Sequence, residues 1–194
     1  MDIFVARQPI FDRQRRIQAY ELLFREGPTN AFPGLDGDTA SAKVLTESFL
    51  GIGLDRLTGG RKAFVNFTEG LLRRAVPAMF PRDRIVVEVL ETVAPRPELV
   101  AACRDLVARG YPLALDDFTY REELRPLLDL ASIVKIDFRD GGEARVRETL
   151  DRLDGRPLAV VYNFASHILY NSPNDNITAG FPGVTSGFLE KALG

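Results

Sequence analysis

The sequence predicts an α/β protein built as a closed barrel of strand–helix units, and three observations predict it. Four short apolar runs, at residues 62–66, 85–91, 113–118 and 133–137, are rich in β-branched and aromatic residues, as strands buried on both faces are. Helix-length segments separate the runs, which implies right-handed βα units and a parallel sheet. Each run also carries a carboxylate, amide or amine (Asn66, Glu88, Asp116, Asp117, Lys135, Asp137) that a fully buried strand should avoid. Such groups are explained if they converge where the strands end, at the C-terminal mouth of a barrel. An open doubly wound sheet is the alternative, but no glycine-rich phosphate loop follows any strand.

The elements follow in chain order. Residues 3–11 read as a strand, 12–16 as a polar turn and 17–24 as the returning strand, which together make a hairpin entry. Residues 26–38 hold Gly, Pro, Asn and Asp without periodicity and read as a loop. Asp38 and Thr39 suit the start of a helix over 39–52, with Val44, Leu45, Phe49 and Ile52 at helical spacing. Strand 62–67 precedes a short helix starting at Thr68, and strand 85–90 precedes a helix over 97–109. Pro97 lies in the first turn of that helix and Gly110 follows its end. Strand 112–118 leads to a helix over 121–130, and strand 133–138 to a helix over 143–153. Residues 158–162 form one more strand, and 189–193 read as a last helical turn.

A length of 194 residues, 45% of them hydrophobic, suits one domain with a sizeable core. A net charge of -2 leaves no electrostatic footprint for nucleic acid, so DNA is not an expected partner. Cys103 is the only cysteine, which rules out an intrachain disulfide and suggests a reducing compartment. Cys103 and the single histidine, His167, cannot build a tetrahedral zinc site of sulfur and nitrogen ligands. No apolar run approaches the roughly 18 residues of a membrane span, and the polar start is no signal peptide. A soluble, cytoplasmic protein with no membrane partner is expected.

The acids carry the chemistry. Asp116 and Asp117 are adjacent at a strand end, and two such carboxylates need a counter-charge, either a divalent cation or a lysine. Glu88 and Asn66 on neighbouring strands add oxygen ligands, and Glu21 completes a ring. Ligation by oxygen alone points to Mg²⁺ or Mn²⁺. Lys135, one strand further, would hold an anion or orient a water. In the purely structural alternative, Asp116 and Asp117 cap the next helix and Glu88 pairs with Lys135. Recurrence of the pattern on four strands favours a site. Cys103 reads as a buried helix residue, His167 as a loop residue and residues 13–16 as a solvated turn.

Gln8-Pro9-Ile10, Glu21-Leu22-Leu23-Phe24-Arg25, Asn66-Phe67-Thr68, Glu88-Val89-Leu90-Glu91, Asp116-Asp117-Phe118 and Lys135-Ile136-Asp137 stand in the order and spacing of EAL domains. Residues 3–158 resemble that family, the bacterial phosphodiesterases of the cyclic dinucleotide c-di-GMP. The opening, residues 4–12, is most similar to EAL domains that precede an HDOD domain. The resemblance implies a modified TIM-like (β/α)8 barrel with one antiparallel strand. It implies hydrolysis of one phosphodiester of c-di-GMP by two divalent cations and a water. Carried over by position, Glu21, Asn66, Glu88 and Asp116 hold one metal, and Asp116 shares a second with Asp117. Lys135, Glu21 and Asp117 form the catalytic set, with Lys135 assisting the water. Gln8 and Arg25 touch the ligand's base and phosphate, and Glu91 steadies the loop after the Asp pair. Active members are often homodimers.

Several positions depart from the family pattern. Leu22 replaces the signature Ala, Leu90 replaces a Thr, and Thr119-Tyr120-Arg121-Glu122-Glu123 replaces a Gly-rich loop. The seventh strand should read Ala-Glu-x-Val-Glu; here it reads Ala159-Val160-Val161-Tyr162-Asn163, without either carboxylate. The expected Gln-Gly of the last strand has its nearest match in Ser186-Gly187-Phe188. The reading is therefore a barrel core at 1–164 and a divergent segment at 165–194, which either supplies the last barrel elements or leaves the barrel incomplete. The expected function is a degenerate EAL domain that binds c-di-GMP or a protein partner, with weak or no hydrolysis. Two alternatives stand beside it. One is an active Mg²⁺- or Mn²⁺-dependent c-di-GMP phosphodiesterase in which Glu91 or Asp137 replaces the lost ligand. The other is a structural interaction module that binds no nucleotide.

Overall fold

Eight strands close into a barrel in chain order in this computed structural model, which describes residues 3–12, 14–26, 53–137, 142–153, 156, 158–163 and 187–191. The strands are β1 (Ile3–Phe11), β2 (Ile17–Glu26), β3 (Lys62–Phe67), β4 (Ile85–Val89), β5 (Leu113–Leu115), β6 (Ile133–Asp137), β7 (Ala159–Asn163) and β8 (Gly187–Lys191). The helices are α1 (Leu54–Thr58), α2 (Glu69–Arg73), α3 (Pro97–Ala108), α4 (Arg125–Leu128) and α5 (Gly142–Leu153). Strands β2 to β7 run parallel to one another, and β1 pairs antiparallel with β2. The antiparallel strand implied by the resemblance is thus β1. β8 adds a second reversal, antiparallel to β7 and parallel to β1. The helix read over 39–52, Arg13 and His167 lie outside the described residues.

The β1–β2 turn is held by one carboxylate. Asp12 accepts from the backbone N–H of Gln14 (2.9 Å) and of Arg16 (2.8 Å), and from the side chains of Arg16 and Gln18 (both 2.8 Å). Thr68 caps α2 by accepting from the Leu71 N–H. α3 begins on Pro97 and buries Leu99, Val100, Cys103 and Leu106 against the sheet, which places the thiol where the periodicity put it. Burial pushes the Cys103 thiol up to about 11, so it is an inert core group.

Three elements differ from the sequence reading. The helix expected over 121–130 is a 3-10 turn, Glu122–Leu124, followed by the short α4. Pro126 explains the break, because a residue without an N–H fits a new first turn and not a helix interior. β5 is three residues long because the chain turns at Asp117, whose φ is 42°. Residues 189–191, read as part of a helical turn, belong to β8 and close the barrel against β7 and β1.

Alternation along each strand divides the core in two. Ala63, Val65, Ile85, Val87, Val89, Leu113, Leu115, Val134, Ile136 and Val160 share the larger cluster with the apolar residues of the helices. Ile10, Ala19, Phe64, Val86, Ala114 and Val161 form a second, smaller cluster with Ile133, contributed wholly by strands, and it fills the barrel interior. This inner apolar layer is the floor of the site.

Candidate functional site

Two residues beyond the floor, on the same face of each strand, the chemistry changes. Ala19 gives way to Glu21, Phe64 to Asn66, Val86 to Glu88, Ala114 to Asp116 and Ile133 to Lys135. Strand periodicity therefore gathers the polar residues above a dry base at the C-terminal end of the parallel strands. Glu21 (6% exposed), Glu88 (0%) and Lys135 (2%) are buried, and such charges persist in a core only when paired.

Lys135 supplies the pairing. Its Nζ lies 3.0 Å from Glu21 Oε2, 2.8 Å from Glu88 Oε1 and 2.7 Å from Asp116 Oδ1. The structural alternative of a Glu88–Lys135 pair is therefore realised, but as one arm of a three-armed cluster. The contacts are close in distance, yet none has the angles of a well-directed hydrogen bond. Asn66 Nδ2 donates to Glu21 Oε1 at 3.4 Å. Asn66 Oδ1 and Glu88 Oε2 are buried without a hydrogen-bond partner. Asp116 and Asp117 cap no described helix; Arg121 and Leu124 occupy the N-cap positions that follow them.

The electrostatics follow from the crowding. Burial pushes the Glu88 carboxyl well above its usual value, and the Glu21 and Asp116 charges push it further, against the opposing pull of Lys135. Burial works against the Lys135 charge, but Glu88, Glu21 and Asp116 outweigh it and hold the ammonium protonated far beyond its usual range. One ammonium is set among three acidic groups, an oxygen-rich cluster that a divalent cation would complement. Carboxylate oxygens of Glu21, Glu88 and Asp116 lie within 4.8 Å of one another, a spacing that suits a hard cation. Together with the unpartnered Glu88 Oε2 and Asn66 Oδ1, these residues fit the Mg²⁺ or Mn²⁺ that the donor chemistry calls for.

Asp117 sits beside this ring. Asp116 N–H donates to Val89 O (3.0 Å) and Phe118 N–H to Lys135 O (2.7 Å), which pins the residues on either side. Asp117 takes up the difference in a left-handed conformation that costs a non-glycine residue energy. Burial, then the charges of Asp116, Asp137 and Glu91, push its carboxyl up to about 6, with Lys135 opposing. Glu91 and Asp117 line one cavity of about 380 Å³ together with Leu90, Asp116 and Arg121. Gln8 lies opposite Glu21 in the β1–β2 register and is half-buried. Arg25 lies on β2 opposite Phe4, and its side chain is outside the described residues.

On β7 the register sets Val161 opposite Lys135 and Asn163 opposite Asp137. Val161 belongs to the barrel floor, whereas Val160 packs in the outer cluster under the helices. The motif reading gave Val161 no role; strand parity is the signal that assigns it to the floor.

No family model matches the chain. Among curated proteins it is 43% identical over 143 residues to the uncharacterized protein YuxH of Bacillus subtilis, covering 71% of this chain and 35% of that one. It is 44% identical over 135 residues to the cyclic di-GMP phosphodiesterase CdgJ of Vibrio cholerae, covering 69% of this chain and 31% of CdgJ. The chain thus spans about a third of the length of the curated relatives it matches. Among solved structures, a manganese/cyclic di-GMP complex of Klebsiella pneumoniae BlrP1 superposes with a TM-score of 0.65 at 20% identity, over 84% of this chain and 49% of that one. The Bacillus subtilis YkuI protein, with an EAL domain, in complex with c-di-GMP and calcium superposes with a TM-score of 0.53 at 18% identity, over 83% of this chain and 49% of that one. The chain has the EAL-domain fold.

Proposed function

We propose that this chain is a degenerate EAL domain that binds c-di-GMP at the barrel mouth with a divalent cation and hydrolyses it weakly or not at all. The observation that carries the reading is the buried ring of Glu21, Asn66, Glu88 and Asp116 around Lys135, above an apolar floor. Glu21, Glu88, Asp116 and Asn66 would hold the cation, whose contribution is concentrated positive charge against a phosphodiester oxygen. Gln8, beside Glu21, and Arg25 on the same strand as Glu21 would receive the nucleotide. Lys135 would meet the water or the phosphate, and Glu91 and Asp117 would shape the adjoining cavity.

Weak hydrolysis is inferred from β7, where Val160 and Val161 are buried apolar residues and no carboxylate lies between Ala159 and Asn163. A second cation would lack a ligand there. Loss of about 3–4 kcal/mol of transition-state stabilisation slows a reaction by roughly 10²–10³-fold. Binding does not carry that requirement.

The likeness to a protein named as a cyclic di-GMP phosphodiesterase favours a second reading, an active enzyme. One experiment separates the two. Calorimetric titration of c-di-GMP with and without Mn²⁺ should give binding, and chromatography of the end mixture should recover intact nucleotide. Rapid appearance of the linear dinucleotide would establish the active enzyme, and absence of binding heat would remove both readings.

A further inference from the structure

The Lys135 ammonium lies within 2.7–3.0 Å of one oxygen from each of Glu21, Glu88 and Asp116. These residues are also the ones whose carboxylate oxygens are grouped closely enough for a shared cation. A Mg²⁺ or Mn²⁺ ion sits about 2.1 Å from its oxygen ligands. An ion drawing on these same three oxygens would compete with the ammonium for them.

Resting on the reading of the mouth as a cation site, we infer that Lys135 is a built-in competitor of the divalent ion. Its ammonium holds the oxygens that the ion would use, and loading the site requires the ammonium to leave the triangle. Two features make the exchange feasible. The ion pairs are poorly directed, so the lysine is held by charge and not by geometry. Further along the mouth, Asp117 and Asp137 are acids toward which the side chain can turn. Lys135 already acts electrostatically on Asp117, and Asp137 is two residues along on its own strand. The lysine offsets three adjacent carboxylates that would otherwise repel. It also sets a threshold cation concentration for filling the site.

The test uses the full chain at fixed pH, titrated calorimetrically with MnCl₂ in the absence of nucleotide. Lys135→Met removes the competitor with little change in length and should bind Mn²⁺ at least about tenfold more tightly. Lys135→Gln, which keeps a donor for the carboxylates, carries the same expectation should the Met variant not fold. Lys62→Met, at the opposite, exposed end of a strand, should leave the affinity unchanged. In the wild type, the protected ¹H–¹⁵N signal of the buried Lys135 ammonium should disappear or shift on adding Mg²⁺. Unchanged or weaker Mn²⁺ binding by both Lys135 variants overturns the inference, as does an ammonium signal indifferent to Mg²⁺. Absence of Mn²⁺ binding in all variants overturns it too. Tighter Mn²⁺ binding without c-di-GMP binding keeps this inference and removes the nucleotide reading. Nucleotide binding with unaltered Mn²⁺ affinity does the reverse.

Discussion

Lys135 on β6 stands directly opposite Val161 on β7, so a buried positive charge of the barrel mouth borders an apolar residue of its floor. On its other side the same ammonium meets Asp116 at 2.7 Å. The site is therefore lopsided, with acids arriving from β2, β4 and β5, and a valine on β7 facing the lysine. The predictions below follow from that asymmetry.

Asp116→Ala should abolish stabilisation by Mn²⁺ while changing the metal-free protein little. Lys135 retains two carboxylate partners, Glu21 and Glu88, so no buried charge is stranded. At a cation concentration 100 times Kd the wild type should gain about 2.7 kcal/mol. A melting shift with Mn²⁺ in the variant equal to that of the wild type would remove Asp116 from the cation site.

Glu88→Gln should stabilise the metal-free protein by about 1 kcal/mol. Glu88 is fully buried, and its charged form is disfavoured by burial and by the neighbouring acids. The amide has nearly the same shape, relieves that repulsion and offers a donor to Asn66 Oδ1, which lacks one across the β3–β4 register. Chemical denaturation in EDTA measures the change, and a clear loss of stability would show that the lysine needs all three acids.

The polar members of the ring were legible because they interrupt apolar runs at the strand period, and Glu21, Asn66, Glu88, Asp116 and Lys135 do meet. What the runs could not specify was the centre. Periodicity sets the face on which a lysine emerges, but not where a flexible four-carbon chain carries its charge. Asp117 was read as a strand residue because its left-handed backbone is imposed by hydrogen bonds to Val89 and Lys135, which are distant in sequence. Gly187–Lys191 eluded the pattern for a similar reason, since its partners on β1 and β7 decide its conformation. The break at Pro126 was missed by reading one helix over 121–130, although a proline at that point signals a new first turn.

Asp117 makes the metal-free protein less stable as pH rises. Its folded carboxyl titrates at about 6 against a reference of 3.8, so the folded state holds the proton longer than the unfolded chain. Well below the reference value, near pH ~3, both states are protonated and little is lost; from there stability falls until pH rises through ~6, and the penalty is constant above. The residue is only half-buried, so solvent screening reduces the cost to about 1 kcal/mol. Asp117→Asn, which also suits the left-handed backbone, should nearly equal the wild type near pH ~3 and exceed it by that amount at pH ~7.5. An unchanged difference between the two pH values would place the Asp117 carboxyl at an ordinary value.

Restoring a carboxylate on β7 tests which position of the strand serves the mouth. Aligning Ala159 with the family's alanine would put the first carboxylate at Val160, yet Val160 is 0% exposed and packs in the outer cluster beneath the helices. A glutamate there would bury an unpaired charge in apolar surroundings, so Val160→Glu should lose at least about 3 kcal/mol of stability and gain no cation affinity. Position 163 lies two residues beyond Val161, on the strand parity of the barrel floor, and its backbone is level with Asp137. Asn163→Glu should keep the fold, strengthen Mn²⁺ binding and raise cleavage of c-di-GMP above its background. If Val160→Glu instead activates cleavage and Asn163→Glu does not, the inside and outside of β7 have been assigned the wrong way round.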